Sequence, residues 1–536
     1  MNEPQDPALE AVARPARRRY TFAVAILTLL AVLVPWWSGF DVPGAAMDEG
    51  MLLVYPELIL KGKLPYRDFE TFYGPGNLWT LAASYAAFGV HVDVERAVGL
   101  LYRLALAAGI FFLLQRWSLS GAVIGTLLGS GILYFSRLPA FAWFGGVACA
   151  LWAILLLADR PEPRRVIGAG LFAGAALLFR VDLGLAVVAS AAPLFLLLTP
   201  RLRWFYLAAV GAALLPLAGL ALLAGPYATL ENLVLYPVFI ANAGRRLPLS
   251  DAEDAIFILF LLHLVACVCN VLAGALACHR DRHSTAARLL LAAALLATGL
   301  THQAMQRADE IHIFVSIFLS LALFPVGLAV LFQRGEAGPI PARWMLPAAG
   351  VVLVTLFIKA PTWPALVLGG AMHTLDANAA PIPSVVMHDR TFPRSNLIAE
   401  AQKVADFLKT HSKPGERLFV GTADMRFTTY NDTFFYHLLP WLTPATYFLE
   451  FNPLSANRPA SRLAEDIASA DWVIVNRIWD EPSEPNESRI PGSDAPNAAI
   501  RKYFEPKAVI DPFAIFHRRA LPASADAAPP SVAPKE

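Results

Sequence analysis

The chain of 536 residues is 57% hydrophobic and only 16% charged, with a net charge of +1 and a mean hydropathy of +0.51. That balance excludes an ordinary soluble domain, and the near-neutral charge leaves no basic field with which to bind nucleic acid. Its four cysteines, Cys149, Cys267, Cys269 and Cys278, lie in or at the end of apolar runs, which argues against a disulfide framework.

Residues 1–19 are polar and end in Arg17-Arg18-Arg19, ahead of an apolar run from Tyr20 to Trp37. That run is long enough to cross a bilayer and lacks a small-residue cleavage site, so it reads as a signal anchor with a cytoplasmic N-terminus. About eleven spans follow from the apolar runs, near 20–39, 97–115, 120–136, 138–158, 165–180, 183–199, 204–224, 255–278, 288–304, 310–332 and 344–360. The turns this arrangement places inside carry Arg116, Arg160, Arg164, Arg165, Arg201, Arg203, Arg280, Arg282, Arg288, Arg334 and Arg343. They satisfy the positive-inside rule. The same count places outside the loops 40–96 and 225–254 and everything after residue 360.

The segment 361–520 changes character. Helical spacing from Leu397 to Thr410 leads into the turn Lys413-Pro-Gly-Glu and a strand at Arg417–Gly421. A helix near Arg462–Ser469 and a strand at Asp471–Asn476 repeat the alternation, as expected of a small extracytoplasmic α/β domain. Residues 521–536, rich in Ala, Pro and Ser, read as a disordered tail. The predicted class is therefore mainly α: a polytopic membrane bundle over residues 20–360 with a C-terminal α/β domain.

Ionisable groups collect on the predicted outer face, where their desolvation is costly and function is the first explanation to test. Asp48 and Glu49 open the first external loop, which also carries Lys61 and Arg67. Arg137 lies in a later turn, Arg180 and Asp182 flank the next, and Arg245 and Arg246 sit in the loop 225–254. Arg307, Asp309, Glu310 and His312 precede the tenth span. A carboxylate against apolar walls suits a general base at an acceptor hydroxyl, and arginines suit a phosphate leaving group. Together these groups fit transfer of a sugar from a lipid-linked phosphate. No glycine loop of the kind that cradles nucleotide phosphates is present. Asp309 and His312 alone are too few ligands for a metal, so neither a metal nor another cofactor is expected.

Bland readings stand beside these. Arg67–Asp68 reads equally as a surface ion pair, and Lys61 as a headgroup contact at the end of an amphipathic interfacial helix from Met51 to Leu60. Arg180 and Asp182 can neutralise each other, Arg137 can anchor a helix start, and Asp251, Glu253 or Asp254 can account for Arg245 and Arg246. His263 and Cys267, one helical turn apart, read as packing residues.

The run Met47-Asp-Glu-Gly-Met-Leu-Leu-Val-Tyr55, with Lys61-Gly-Lys-Leu-Pro-Tyr-Arg-Asp-Phe69 and Tyr73-Gly-Pro-Gly76, resembles membrane glycosyltransferases of the GT-C fold. Within these it is similar to the family-39-type group that includes protein O-mannosyltransferases and the lipid A aminoarabinose transferase. The resemblance implies a polyprenyl-phosphate sugar donor, an inverting transfer with Asp48 as base, and Glu49 as a supporting carboxylate. It also implies an extracytoplasmic acceptor (envelope glycan, lipid or protein) and residence in a bacterial inner membrane. The reading from another class is a lipid-linked glycan flippase or transporter without chemistry of its own.

Overall fold

The structure is a computed structural model describing residues 7–158, 161–333, 341–380, 382–481 and 484–520. Arg160, Arg334 and the 521–536 tail fall outside the described residues, as do the first six residues of the basic N-terminus.

Each of the eleven apolar runs is helical. Among the described residues, eight helices are long and apolar enough to cross a membrane, and Ala142–Ala158, Val181–Phe195 and Pro163–Phe179 are shorter. Glu310–Phe332 is the central helix, with 94% of its apolar window buried, whereas Pro200–Ala224 buries only 17% and turns Trp204, Leu215 and Leu222 outward. In a bilayer those exposed apolar side chains face lipid, so a helix that is apolar all round needs no protein cover. At one end of the bundle, loop arginines donate to backbone carbonyls that helix ends leave open. Arg203 donates to Leu196 O (2.6 Å), Arg280 to Val330 O (3.2 Å) and Arg288 to Pro193 O (3.2 Å).

The opposite end carries the loops expected outside and the C-terminal domain. Helix Thr362–Leu375 corrects the expected boundary at 360, because it packs back along Pro7–Trp37 and keeps Leu368, Met372 and Leu375 exposed. Beyond it, β1 (Ser384–Met387) and β2 (Arg390–Pro393) form a hairpin. The main sheet holds β3 (Arg417–Thr422), β4 (Thr443–Pro444), β5 (Trp472–Asn476), β6 (Phe504–Ile510) and β7 (Phe513–Arg518), in the order β4-β3-β5-β7-β6. β3 runs parallel to β4 and β5, while β7 is antiparallel to both of its neighbours. All five residues of β5 are buried, as expected for a strand with both faces covered.

Helix Asp48–Leu60 joins the two halves. Expected as an amphipathic interfacial helix, it is instead buried from Glu49 through Leu58. Its apolar residues share one core with Leu418, Val420, Phe434 and Ile515 of the C-terminal domain. Gly50 permits this approach, because a Cβ there would lie 2.7 Å from the backbone nitrogen of Phe434. Gly74 does the same for the loop that follows, where a Cβ would meet Leu178 O at 2.0 Å.

The helix is tied to the bundle by charge. Glu49 accepts from Arg96 Nε (2.7 Å) and Nη2 (3.0 Å), and Arg96 Nη1 donates to Phe40 O (2.6 Å). Both side chains of the pair are essentially inaccessible, at 0% and 1% exposure. Removing one partner of a buried ion pair leaves an uncompensated charge, which costs about 3–5 kcal/mol. Glu49→Ala is therefore expected to lower the thermal unfolding midpoint of the detergent-solubilised protein strongly. Arg67→Ala, which removes only the exposed contact with Asp68, leaves the midpoint where it is.

Candidate functional site

Where the Asp48 helix begins, bundle and C-terminal domain enclose two cavities that share a wall. The larger, about 400 Å³, is lined by Asp48, Phe72, Tyr73, Arg180, Asp182, Arg245, Arg246, Arg307, Asp309 and His312, among others. The smaller, about 210 Å³, lies against the C-terminal domain. Asp48, Arg245, Arg307 and Tyr430 line both.

The ten residues named for the larger cavity come from five separate segments. Asp48 starts its helix, and among the described residues its carboxylate has no hydrogen-bond partner. Burial raises its pKa above the ordinary aspartate value, against the opposing pull of Arg245, His312 and Arg307. Arg180 lies after Pro163–Phe179 and donates to Asp182 (Nε–Oδ1 2.8 Å) and to Gln303 (3.2 Å). Asp182 also meets His302 Nε2 at 3.1 Å. Tyr73 and Trp143 offer ring faces to the Arg180 guanidinium at 5.7 and 5.5 Å.

Arg245 follows a π-helical segment, Glu231–Ile240, a rare geometry often found beside functional sites. It donates to Asn452 Oδ1 (3.0 Å) and lies 3.8 Å from Glu450 and 5.2 Å from the centre of the Phe72 ring. Its neighbour Arg246 is exposed at the cavity wall, with no ion-pair or hydrogen-bond partner for its side chain among the described residues.

Arg307 bridges the halves of the molecule. It contacts Asp309 (2.6 Å), donates to Arg245 O (2.9 Å) and grips Glu484 of the C-terminal domain with both terminal nitrogens (Nη1–Oε2 2.9 Å). Asp309 caps Glu310–Phe332 by accepting from His312 N (2.9 Å), and also meets His312 Nδ1 at 2.7 Å. These partners hold its pKa well below the carboxylate range despite burial, so Asp309 is a fixed anion.

Four expected site residues lie elsewhere. Glu49 is buried against Arg96 and lines neither cavity, so its part is to hold the helix that presents Asp48. Lys61 pairs with Glu57 (3.0 Å) at the far end of that helix, and Arg67 with Asp68 (2.9 Å). Arg137 folds back over the Tyr134 ring, 5.3 Å from its centre, in a left-handed backbone conformation. Tyr73, Trp143, Gln303, Glu484 and Trp479 were absent from the expected set, though the turn Tyr73-Gly-Pro-Gly76 had been noted.

Among the described residues, no three His, Cys, Asp or Glu side chains are grouped to hold a metal ion. The cavities are enclosed by a membrane helix bundle carrying an α/β domain, with charged groups lodged where the two meet. No protein-family model matches the chain, and no curated protein sequence does. Among solved structures, the chain is similar to ArnT from Cupriavidus metallidurans bound to undecaprenyl phosphate. The two share 12% identity over 92% of this chain and 97% of that one, with a TM-score of 0.52. The same protein in its apo state gives 12% identity, the same coverage and a TM-score of 0.50. The chain thus has the GT-C fold, the architecture that the Asp48-Glu49 region resembles.

Below the site, Glu70 accepts from Ser455 Oγ (3.0 Å), while Glu450 keeps one oxygen without a partner. Burial pushes Glu70 up to about 8 and Glu450 up to about 7, from an ordinary value of 4.5. Each folded-state pKa is raised, so the stability is fully present below 4.5 and declines as pH rises toward 7–8. In that window the unfolded chain has released protons that the folded one retains. The unfolding midpoint is expected to fall across this range, and Glu70→Gln to flatten the fall, as read by thermal unfolding at a series of pH values.

Proposed function

We propose that this protein is a membrane glycosyltransferase that moves a sugar from a polyprenyl-phosphate donor to an extracytoplasmic hydroxyl acceptor. The observation that carries the reading is Asp48: a carboxylate without a hydrogen-bond partner among the described residues, sharing a cavity of partly apolar walls with four arginines. Among the lining residues, Val238 and Ile311 are more than half exposed, at 53% and 52%, and give the cavity a greasy rim. Such a rim suits a donor whose lipid stays in the bilayer while its phosphate reaches the arginines. The structure of like fold bound to undecaprenyl phosphate supports the same donor class.

In this reading Arg180, Arg245, Arg246 and Arg307 hold the donor phosphate. Asp48 takes the proton of the acceptor hydroxyl as its oxygen bonds to the anomeric carbon. The bond from that carbon to the phosphate oxygen breaks, and polyprenyl phosphate leaves with the electron pair, its charge met by the arginines. A single displacement of this kind inverts the anomeric centre. The bacterial inner membrane, with the domain-bearing end outside, is the setting proposed from the basic loops at the other end.

The test is transfer by purified protein in lipid, using radiolabelled polyprenyl-phosphate sugars and a membrane extract as acceptor. Asp48→Asn is expected to lower the rate at least about 100-fold, the scale of a general base, with folding intact. Sugar lipid crossing the bilayer without labelled product would favour the flippase. Since the base acts ionised, kcat/KM falls as pH drops through the raised pKa of Asp48. Arg245→Gln removes a nearby positive charge, so it is expected to move that acid limb to higher pH as well as weaken donor binding.

A further inference from the structure

The two chambers differ in the sign of their charge. Beyond the wall they share, the larger adds Arg180 and Arg246 to its aspartates, whereas the smaller adds Glu481 and Glu484 and no cation. Arg307 occupies Glu484, but the exposed Glu481 has no ion-pair or hydrogen-bond partner for its side chain among the described residues. A phosphate therefore has no welcome in the smaller chamber.

Its remaining lining has a different chemistry. The Tyr430 and Trp479 rings lie with centroids 5.4 Å apart at 39°, an open aromatic corner. Trp479 Nε1 donates to the buried Asp432 (3.2 Å), which fixes the indole and leaves its face to the cavity. Asn452, 2% exposed, accepts from Arg245 at Oδ1, and its inaccessible amide nitrogen is turned toward Glu450 rather than the chamber. Thr429 adds a hydroxyl, although that hydroxyl already donates to Trp479 O (3.0 Å). At 210 Å³ the space is below the roughly 300–1,000 Å³ of drug-sized ligand sites, room for about one ring.

We infer that this smaller chamber, built largely by the C-terminal domain, is the acceptor subsite, and that it takes a terminal sugar ring that is neutral or aminated, never anionic. The ring lies on Trp479 and Tyr430, and Glu481 repels carboxylated or phosphorylated sugars. The attacking hydroxyl then points at Asp48, the group common to both chambers. This rests on the transferase reading above.

The test pairs binding with transfer. Methyl glucoside, methyl glucosaminide and methyl glucuronide are titrated against the full-length protein in nanodiscs, following the tryptophan fluorescence that Trp479→Phe removes. The same glycosides, free and on a lipid anchor, then serve as acceptors. The neutral and amino glycosides are expected to bind and the glucuronide not. Trp479→Ala is expected to raise acceptor KM about tenfold with donor KM unchanged. Glu481→Gln, at an exposed position that folding does not need, raises use of the glucuronide roughly fivefold, the scale of one like-charge contact in a watery site. Transfer with acceptor KM indifferent to both substitutions overturns the subsite while leaving the transferase reading standing. Saturable Trp479-dependent glycoside binding without transfer overturns the transferase reading and leaves a carbohydrate site. Glucuronide bound as tightly as glucoside overturns the charge rule, and use of the lipid-anchored glycoside alone overturns approach from the domain side.

Discussion

The buried Glu49–Arg96 pair is the constraint on which the site depends. Two charges without solvent are tolerable only when each satisfies the other, and here the guanidinium is also spent on Phe40 O. The pair locks the start of the Asp48 helix to the membrane helix Val92–Leu114, while Gly50 lets the same turn touch the C-terminal domain. One residue earlier, Asp48 is left facing the cavity. Adjacent carboxylates on a helix point about 100° apart, so one can be buried as an anchor while the other is presented to a ligand. The Asp-Glu motif thus divides between an anchor and, in the proposed function, the base.

A second consequence concerns Arg307. It lies in the short connection between two membrane helices, yet it grips Glu484 and lines both chambers. The parallel bridge between Leu247 and Arg307 and the bond from Ala308 N to Leu247 O (3.0 Å) tie it to the loop bearing Arg245 and Arg246. The cationic part of the site is therefore not a set of independent side chains. Arg245 and Arg307 are placed by one another's backbone and by the domain below, which fixes their distance from Asp48.

Much of this was legible in the chain. Apolar runs of about 20 residues mark spans because a bilayer demands them, and the arginine bias sorted loops to the two ends without any structural information. Hence Asp48, Arg180, Asp182, Arg245, Arg246, Arg307, Asp309 and His312 were expected on one face, and all line one cavity. What failed was partner choice. Glu49 and Arg96 lie 47 positions apart, and Arg96 reads as an ordinary helix-start charge until the fold pairs them. The Asp48 helix looked interfacial because its second covering layer, the C-terminal domain, leaves no local periodic trace. Trp479 and Glu484 were invisible for the same reason, since domain docking is a long-range fact. Arg137 turns back over Tyr134 through a left-handed residue that no local signal announces.

The junction position of the site explains why its carboxylates behave so differently. Asp309 caps a helix by accepting from His312 N, pairs with Arg307, and stays ionised. Glu70 and Glu450 lie deeper, where burial outweighs the cations nearby, and hold their protons to neutral pH. At Asp48 burial raises the pKa, against the opposing pull of Arg245, His312 and Arg307. In the proposed role a base must be ionised at rest and still gain from accepting a proton, and a buried carboxylate beside arginines suits both demands. The bundle alone would leave Asp48 solvated and a weak base. The domain alone would leave it without the arginines. The contact between the two halves is therefore what buries Asp48 beside the arginines and so sets the proton affinity of the proposed base.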